Sequence, residues 1–254
     1  MTRGKTATAP EPTRFLGVYG ANNLREMGGY AVKEGQLRWK RLLRSGDTSA
    51  LDAEAIAALR AYGLTHAIDL RSPMSRPRQT DSLAHVWGVS WRNVPIAAQM
   101  ESYAKGAPEY DEFGPFAGGY LVLLRNQRGV RAVFRHIARA ARADGCALFR
   151  CTGGMDRTGA IAMLLMGLAE APRESLMLDF GYSFASADTV ERLVRDGATS
   201  EADEALAELI ESIDVARNAL AERYGSVRGY LESCGISARD LDRILRWMVA
   251  RELG

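Results

Sequence analysis

The sequence predicts an α/β fold, in which a central sheet is flanked by helices on both faces. Short apolar runs with strand character alternate along the chain with longer segments whose apolar residues recur at helical spacing. This alternation is typical of sheets that are covered by helices. The 254 residues are 47% hydrophobic and 25% charged, a composition typical of globular chains that bury a full core. We therefore expect one domain over residues 14–254.

Turn and cap residues divide the first half of the chain. Residues 1–13, rich in Thr, Ala and Pro, are expected to form a disordered leader. Short strands and turns are predicted over Val18–Arg44. A helix over Asp52–Tyr62, ended by a glycine, leads into a buried strand over Thr65–Leu70. A second strand is predicted over Val86–Ile96.

Two loops are predicted around that second strand. The first, Arg71–Gln79, contains prolines and arginines whose charges could touch a substrate, and a solvated loop is the commoner alternative. The second, Ala97–Pro115, is irregular and contains aromatic residues. It is a candidate for a mobile loop that faces the substrate, and aromatic packing over the core is the equal alternative.

The second half of the chain is predicted to be mainly helical, with extra helices at the C-terminal end. Helical spacing over Arg131–Ala143 leads into a short buried strand over Cys146–Phe149. Further helices are predicted over Thr158–Glu170, from Pro172, over Asp188–Tyr224, and from Ser237.

A cysteine and an arginine flank a short glycine-containing loop between that strand and the helix that follows it. The stretch runs from Cys151 to Arg157, with Gly153 and Gly154 inside it. The first N–H groups of a helix lack internal partners and carry the positive end of the helix dipole. Glycines let successive N–H groups turn inward, so the loop is expected to cradle a phosphate. The same field favours the thiolate form of Cys151.

The loop resembles the His-Cys-x5-Arg-Ser/Thr signature of the protein tyrosine phosphatase superfamily. Its ending, Asp-Arg-Thr-Gly, resembles the bacterial tyrosine and lipid phosphatase branch. Three further segments resemble landmarks of that branch, namely Asn23–Tyr30, Leu43–Gly46 and Ile68–Ser72, and Tyr224–Leu231 is also similar. The resemblance runs from about residue 15 to the C-terminus and implies a phosphatase-like fold, with the phosphate loop between a strand and a helix.

Three residues depart from the usual pattern of that branch. Arg150 stands where His is usual, Gly153 where Ala is usual, and Met155 where a loop Lys is common. In relatives that Lys adds a second cation, which suits phosphoinositides. Its absence favours a substrate with an apolar or planar part near the loop.

The resemblance implies roles for the loop residues. Cys151 would attack phosphorus, while Arg157 and the amides of the phosphate-binding residues would stabilise the phosphoryl oxygens. Asp156 is the leading candidate for the general acid, because this branch carries its acid inside the loop; a first-turn acid that orients Arg157 is the alternative role. Asp69 is the second candidate from its own position at the C-terminal end of a predicted strand, and a carboxylate that caps a loop is the equal alternative. Thr158 could donate a hydrogen bond to the leaving thiolate. The predicted phosphate-binding residues are Thr152, Gly153, Gly154, Met155, Asp156 and Arg157; Arg71 and Arg150 are candidate substrate contacts.

The region Asp188–Tyr224 corresponds to a helical lid in relatives. It is therefore a candidate lid over the site, and a helix pair exposed to solvent is the alternative.

No metal and no cofactor are expected. The histidines, His66, His85 and His136, lack the spacing of metal ligands, and the sequence has no nucleotide-binding glycine motif. A net charge of +2 without a basic run gives no reason to expect a nucleic-acid partner. No segment is apolar for long enough to span a bilayer, and the N-terminus does not resemble a signal peptide. Because a working thiolate needs a reducing compartment, we expect a cytoplasmic protein.

The sequence therefore predicts a cysteine-dependent phosphomonoester hydrolase. The substrate is expected to be a small nucleotide-like or secondary-metabolite phosphate, or phosphotyrosine. A phosphoinositide phosphatase and a phosphate-binding module without turnover are the alternatives. Sulfur or redox chemistry at Cys151 is a further alternative, although no resolving cysteine is apparent beyond Cys146 and Cys234.

Overall fold

A five-stranded sheet lies at the centre of the computed structural model, which describes residues 13–72, 81–96 and 108–251. Its strand order is β1-β4-β7-β5-β6, and β1 alone runs antiparallel to its neighbour. A smaller antiparallel sheet has the order β2-β3-β8. The strands are β1 Arg25–Glu26, β2 Ala31–Val32, β3 Gly35–Leu37, β4 Leu42–Ser45, β5 Leu64–Asp69, β6 Ser90–Asn93, β7 Cys146–Arg150 and β8 Val249–Arg251.

Helices cover both faces of the central sheet, which confirms the predicted fold class. On one face, α1 packs over Leu43, Ala67 and Leu148. On the other face, Ile68 and Phe149 join a larger core built by the later helices. The helices are α1 Ala53–Tyr62, α2 Gly114–Leu124, α3 Gln127–Arg142, α4 Asp156–Leu168, α5 Arg173–Gly181, α6 Ala187–Asp196, α7 Glu201–Tyr224, α8 Val227–Ser233 and α9 Ala238–Met248, with a 3-10 helix over Pro108–Phe113.

Local cap residues explain where several helices begin and end. The Asp52 side chain accepts a hydrogen bond from the Ala55 N–H, and Gly63 ends α1 in the left-handed region at φ 118°. Ser237 caps α9 by accepting from the Asp240 N–H, as predicted. Pro172 lies at the N-cap of α5, one residue before the predicted first-turn position.

Some predicted boundaries were wrong. The strand expected over Val86–Ile96 is confined to β6, because turns occupy the preceding residues. The loop helix α4 begins at Asp156, two residues before its predicted start. The start of β6 depends on its pairing with β5, and the start of α4 depends on the turn that precedes it. The pattern of apolar residues does not indicate either boundary.

The candidate lid consists of two helices, α6 and α7. A small apolar core joins α5 to both of them through Met177, Val190, Leu193 and Ile210. Movement of this pair over the site remains a prediction.

The predicted leader lies outside the described residues except for Thr13, as do most of the two predicted loops, 73–79 and 97–107. None of the described helices combines the length and the apolar composition that a membrane span requires.

The parallel strands bring three segments of the chain to one edge of the sheet. Ser45 at the end of β4 and Asp69 at the end of β5 both pair with Arg150 at the end of β7. Ligands of α/β proteins gather at this carboxyl edge. Cys151 follows directly after Arg150 and therefore lies at the same edge.

Candidate active site

The loop from Cys151 to Met155 connects the central strand β7 to the N-terminus of α4. The Cys151 side chain is buried, with 2% of its surface exposed. Gly154 adopts φ +74°, a conformation that residues with a Cβ rarely take. The sharp turn there lets the chain pass from the strand into α4 within five residues.

Three consecutive carbonyls of this loop accept hydrogen bonds from the segment 23–47. The donors lie just before β1, within β4 and just after β4, so the edge of the central sheet fixes the loop. The donors and acceptors are Asp47 N–H to the Thr152 carbonyl (2.9 Å), Asn23 Nδ2 to the Gly153 carbonyl (3.2 Å) and Arg44 Nη2 to the Gly154 carbonyl (2.8 Å).

These three hydrogen bonds also orient the amides of the loop. In a trans peptide the N–H points opposite to the C=O, and the described chain contains no cis peptide bond. The N–H groups of Gly153, Gly154 and Met155 therefore face away from the segment 23–47. Successive amides presented on one side at a helix N-terminus form a cradle for an anion.

Gly154 has a positive φ and is also packed closely against the backbone at the end of β4. A Cβ at this position would lie 2.6 Å from the Gly46 nitrogen and 2.7 Å from the Ser45 carbonyl carbon. These atoms belong to the end of β4 and cannot rotate away as a side chain would. The loop and the strand end thus approach each other at a distance that only glycine permits.

We expect Gly154→Ala to be destabilised by more than about 2 kcal/mol, because positive φ and backbone overlap both oppose the Cβ. Urea unfolding measures this loss. Gly225→Ala is the matched control, since Gly225 has φ +76° with nothing within 4 Å of its would-be Cβ. A loss no larger than that of Gly225→Ala would contradict the packing account.

Arg157 and Asp156 occupy the first turn of α4. The Arg157 side chain is 8% exposed, and its Nη2 donates to the Thr152 hydroxyl at 3.4 Å. The guanidinium therefore reaches back to the start of the loop. Asp156 is half-buried, and this burial raises the pKa of its carboxyl group although the Arg157 charge acts in the opposite direction.

Thr158 lies on the side of α4 that packs on β4. It is fully buried, and its hydroxyl donates to the Ser45 carbonyl at 3.4 Å. This bond joins the first turn of α4 to the strand end. Donation from Thr158 to the thiolate remains a prediction.

A cluster of two arginines and three aspartates occupies the ends of the parallel strands. Arg71 Nε and Nη2 each lie 3.1 Å from a carboxyl oxygen of Asp69, and Arg71 Nη1 contacts Asp47 at 3.0 Å. Arg150 contacts Asp69 at 3.2 Å and Asp47 at 3.2 Å, and it also pairs with Asp81. Burial lowers the pKa of Arg150 to about 10.

This cluster places three predicted site residues in structural contacts. Arg71 and Arg150 are 1% and 2% exposed, so both lie in buried ion pairs, and contact of either with a substrate remains a prediction. Asp69 is fully buried and its oxygens accept from both arginines. Cys151, Asp156 and Arg157 therefore lie together in the loop and the first turn of α4. Asp69 is instead paired with Arg71 and Arg150.

A second charged network holds the loop, and only parts of it could be recognised in the sequence. Arg25 Nε contacts Asp179 Oδ1 at 3.3 Å, and Arg44 Nη1 pairs with the other oxygen of that carboxylate. Arg25 Nη1 also donates to the Asn23 side chain. We call Asn23, Arg25, Arg44 and Asp179 the loop anchor.

Sequence reasoning noted three residues of the loop anchor within the segments that carry the resemblance, without assigning them roles. It missed Asp179 on α5 entirely, because nothing in the local sequence distinguishes this acid from others on helices. Among the described residues, no three His, Cys, Asp or Glu side chains are grouped so that they could hold a metal ion.

Comparison with known proteins relates this arrangement to one family. A family model described as the tyrosine phosphatase family matches residues 16–250. A tyrosine-protein phosphatase of Nostoc commune is 27% identical over 216 residues, which cover 80% of this chain and 72% of that protein. The triple specificity protein phosphatase PtpB of Mycobacterium tuberculosis is 24% identical over 274 residues, with coverages of 89% and 95%.

Among solved structures, Pseudomonas aeruginosa TpbA is similar with a TM-score of 0.36 and 17% identity, covering 67% of this chain and 86% of that one. The family match alone extends over nearly all of the described residues. The chain therefore belongs to the tyrosine phosphatase family and is a phosphatase.

Proposed function

We propose that the protein hydrolyses phosphomonoesters through a phosphocysteine intermediate on Cys151. The observation that carries this proposal is the loop itself. A buried cysteine stands at the carboxyl edge of the sheet, in front of three amides whose carbonyls are anchored on the other side. Arg157 adds a guanidinium at the same helix terminus, where its planar fork suits two phosphoryl oxygens.

In the first step the Cys151 sulfur forms a bond to phosphorus, and the ester P–O bond breaks. Asp156 gives its proton to the departing oxygen, which leaves as an alcohol or phenol. The raised pKa of Asp156 supports this role, because a larger fraction of the carboxyl group stays protonated as pH rises. Arg157 and the loop amides stabilise the charge on the equatorial oxygens.

In the second step the Asp156 carboxylate takes a proton from water, and the water oxygen bonds to phosphorus. The P–S bond breaks, which releases inorganic phosphate and restores the Cys151 thiolate and the protonated acid. The same carboxyl group thus serves as acid and then as base, and every proton is accounted for.

Phosphotyrosine and a small-molecule phosphate are the two proposed substrate classes. The family and the names of the relatives favour phosphotyrosine. The Met155 side chain favours a substrate with an apolar or planar part, because its methyl carbon lies 2.8 Å from where a Cβ on Gly153 would be. An apolar group therefore covers the loop at the position where relatives carry a Lys.

We expect Asp156→Asn to lower kcat/KM for alkyl phosphates by about 10²-fold or more, because kcat/KM reports the first step and their leaving oxygens need a proton there. For an activated aryl phosphate, which leaves without one, kcat/KM should fall much less, although kcat falls because the second step uses Asp156 as base. Wild-type kcat/KM for the alkyl ester should decline at a pH above the range of an ordinary Asp, since burial raises the pKa of this acid. Equal losses of kcat/KM on both esters, with an unchanged pH profile, would remove Asp156 from the role of general acid.

Phosphate release from a substrate panel with EDTA present tests the proposed function. The panel holds phosphotyrosine peptides, phosphoinositides, nucleoside monophosphates, sugar phosphates and an aryl phosphate. Activity on many phosphotyrosine peptides would indicate a protein phosphatase, and a strong preference for one small compound would indicate a metabolite enzyme. Phosphate binding with no turnover of any compound would favour the binding-module alternative.

A further inference from the structure

We infer that Asp179, a residue of α5 outside the loop, is a positioning residue that sets the phosphate affinity of the Cys151 loop. This inference rests on the proposed function and extends it beyond the loop. The Asp179 side chain is 1% exposed and does not belong to any segment of the loop or the central sheet. Its carboxylate joins two arginines that lead to two consecutive carbonyls of the loop.

The first connection runs through Arg44. One nitrogen of its guanidinium pairs with Asp179 Oδ2, and the other donates to the Gly154 carbonyl at 2.8 Å. Arg44 is fully buried, so water cannot replace either partner. The planar guanidinium transmits the position of the carboxylate directly to the loop.

The second connection runs through Arg25 and Asn23. Arg25 Nε contacts Asp179 Oδ1 at 3.3 Å, and its Nη2 donates to the Asp179 carbonyl at 2.6 Å. Arg25 Nη1 donates to the Asn23 side-chain oxygen, whose Nδ2 then donates to the Gly153 carbonyl at 3.2 Å. The Asn23 amide is thus fixed in the orientation that presents its N–H to the loop.

Asp179 remains ionised at the centre of this network. Burial alone would raise the pKa of its carboxyl group, but the charges of Arg44 and Arg25 hold that pKa below its ordinary value. Tyr30 adds a hydroxyl donor to Oδ1 at 3.4 Å. One buried carboxylate between two guanidiniums leaves a net positive charge behind the loop, which favours a bound anion.

Asp179 fixes the orientation of the Gly154 and Met155 amides through these two connections. Their orientation depends on the carbonyls that the two connections hold, because each N–H points opposite to the carbonyl of its own peptide. Without Asp179 the two arginines lose their common partner, and the two peptides are free to rotate. We therefore expect phosphate affinity and transition-state stabilisation to fall together.

The test measures binding of inorganic phosphate and of orthovanadate by calorimetry, together with kcat and KM on an aryl phosphate. We expect Asp179→Asn to weaken binding of both anions about tenfold or more and to lower kcat/KM by about 100-fold. Asp214→Asn is the matched control, since Asp214 is also buried and paired with arginines, Arg217 and Arg173, but lies on α7. It should lose stability and keep both anion affinities.

Asn23→Gly tests the second connection and leaves the Asp179 carboxylate between its two arginines, whereas removing Asp179 leaves two buried guanidiniums uncompensated. Arg25 Nη1 loses the Asn23 side-chain oxygen in this variant but keeps the Asn23 carbonyl, which lies 3.3 Å away. Asn23 is half-buried and has φ +55°, which glycine adopts readily. We expect this variant to fold and to bind phosphate several-fold more weakly, through loss of one hydrogen bond to a loop carbonyl.

Unchanged phosphate and vanadate binding in folded Asp179→Asn would overturn the inference. If that variant does not fold, unchanged binding in Asn23→Gly would overturn it. Binding is measured without turnover, so this result is distinct from failure of the proposed function, in which the wild type would bind phosphate and hydrolyse nothing.

Discussion

Cys151→Ser is expected to bind phosphate and to lose turnover by roughly 10⁴-fold or more. The hydroxyl that replaces the thiol keeps the size of the side chain at the base of the loop. It is a far weaker nucleophile at neutral pH, and no neighbouring base activates it in the proposed mechanism. The amides of the loop and Arg157 are unaltered, so the anion site should persist. Steady-state kinetics and phosphate titration on the same preparation measure both properties.

Cys234→Ser is the matched control for this variant. Cys234 is also a buried free cysteine, but it lies at the end of α8. Its replacement should leave kcat and KM nearly unchanged. Substantial remaining activity in Cys151→Ser, on a sample shown by mass spectrometry to be free of wild type, would exclude the thiolate mechanism.

Arg157→Lys is expected to reduce kcat/KM by about 10³-fold while the protein remains folded. Lysine keeps the positive charge, but one ammonium cannot hold two phosphoryl oxygens in a plane as a guanidinium does. It also loses the hydrogen bond from Nη2 to the Thr152 hydroxyl. The loss should fall mainly on kcat, because the charge on these oxygens develops in the transition state.

Arg217→Lys controls for the general effect of replacing a partly buried arginine. Arg217 lies on α7, where it donates to the Ala171 carbonyl and pairs with Asp214. Its replacement should change stability more than activity. If Arg157→Lys retained kcat within about threefold of the wild type, the proposal that Arg157 holds two phosphoryl oxygens in the transition state would be wrong.

The sequence predicted the parts of the site that depend on neighbouring residues. Cys151, Asp156 and Arg157 lie within one turn-and-helix segment, where glycines and the helix start set their relative positions. The α/β class could also be predicted, because apolar runs and helical spacing report which faces are buried. These features depend on residues that are close in the sequence, so they could be predicted without any related protein.

Contacts between distant segments could not be predicted in the same way. Asp179 and Arg25 are separated by 154 residues, and no spacing rule links an acid on one helix to an arginine on a short strand. Arg150 departs from the usual histidine in the sequence, but its partners lie far from it along the chain. The sheet order, which places β7 between β4 and β5, brings Asp47 and Asp69 to it, and Asp81 comes from a turn outside the strands.

Rapid-quench mass spectrometry detects the covalent intermediate itself. Wild-type protein is mixed with an activated aryl phosphate, denatured at neutral pH within one turnover and digested. We expect one phosphoryl group on the peptide that contains Cys151, and none on that peptide from Cys151→Ser. Rapid turnover by the wild type with no phosphorylated Cys151 peptide, or a phosphoryl group on another residue, would contradict the proposed phosphocysteine mechanism.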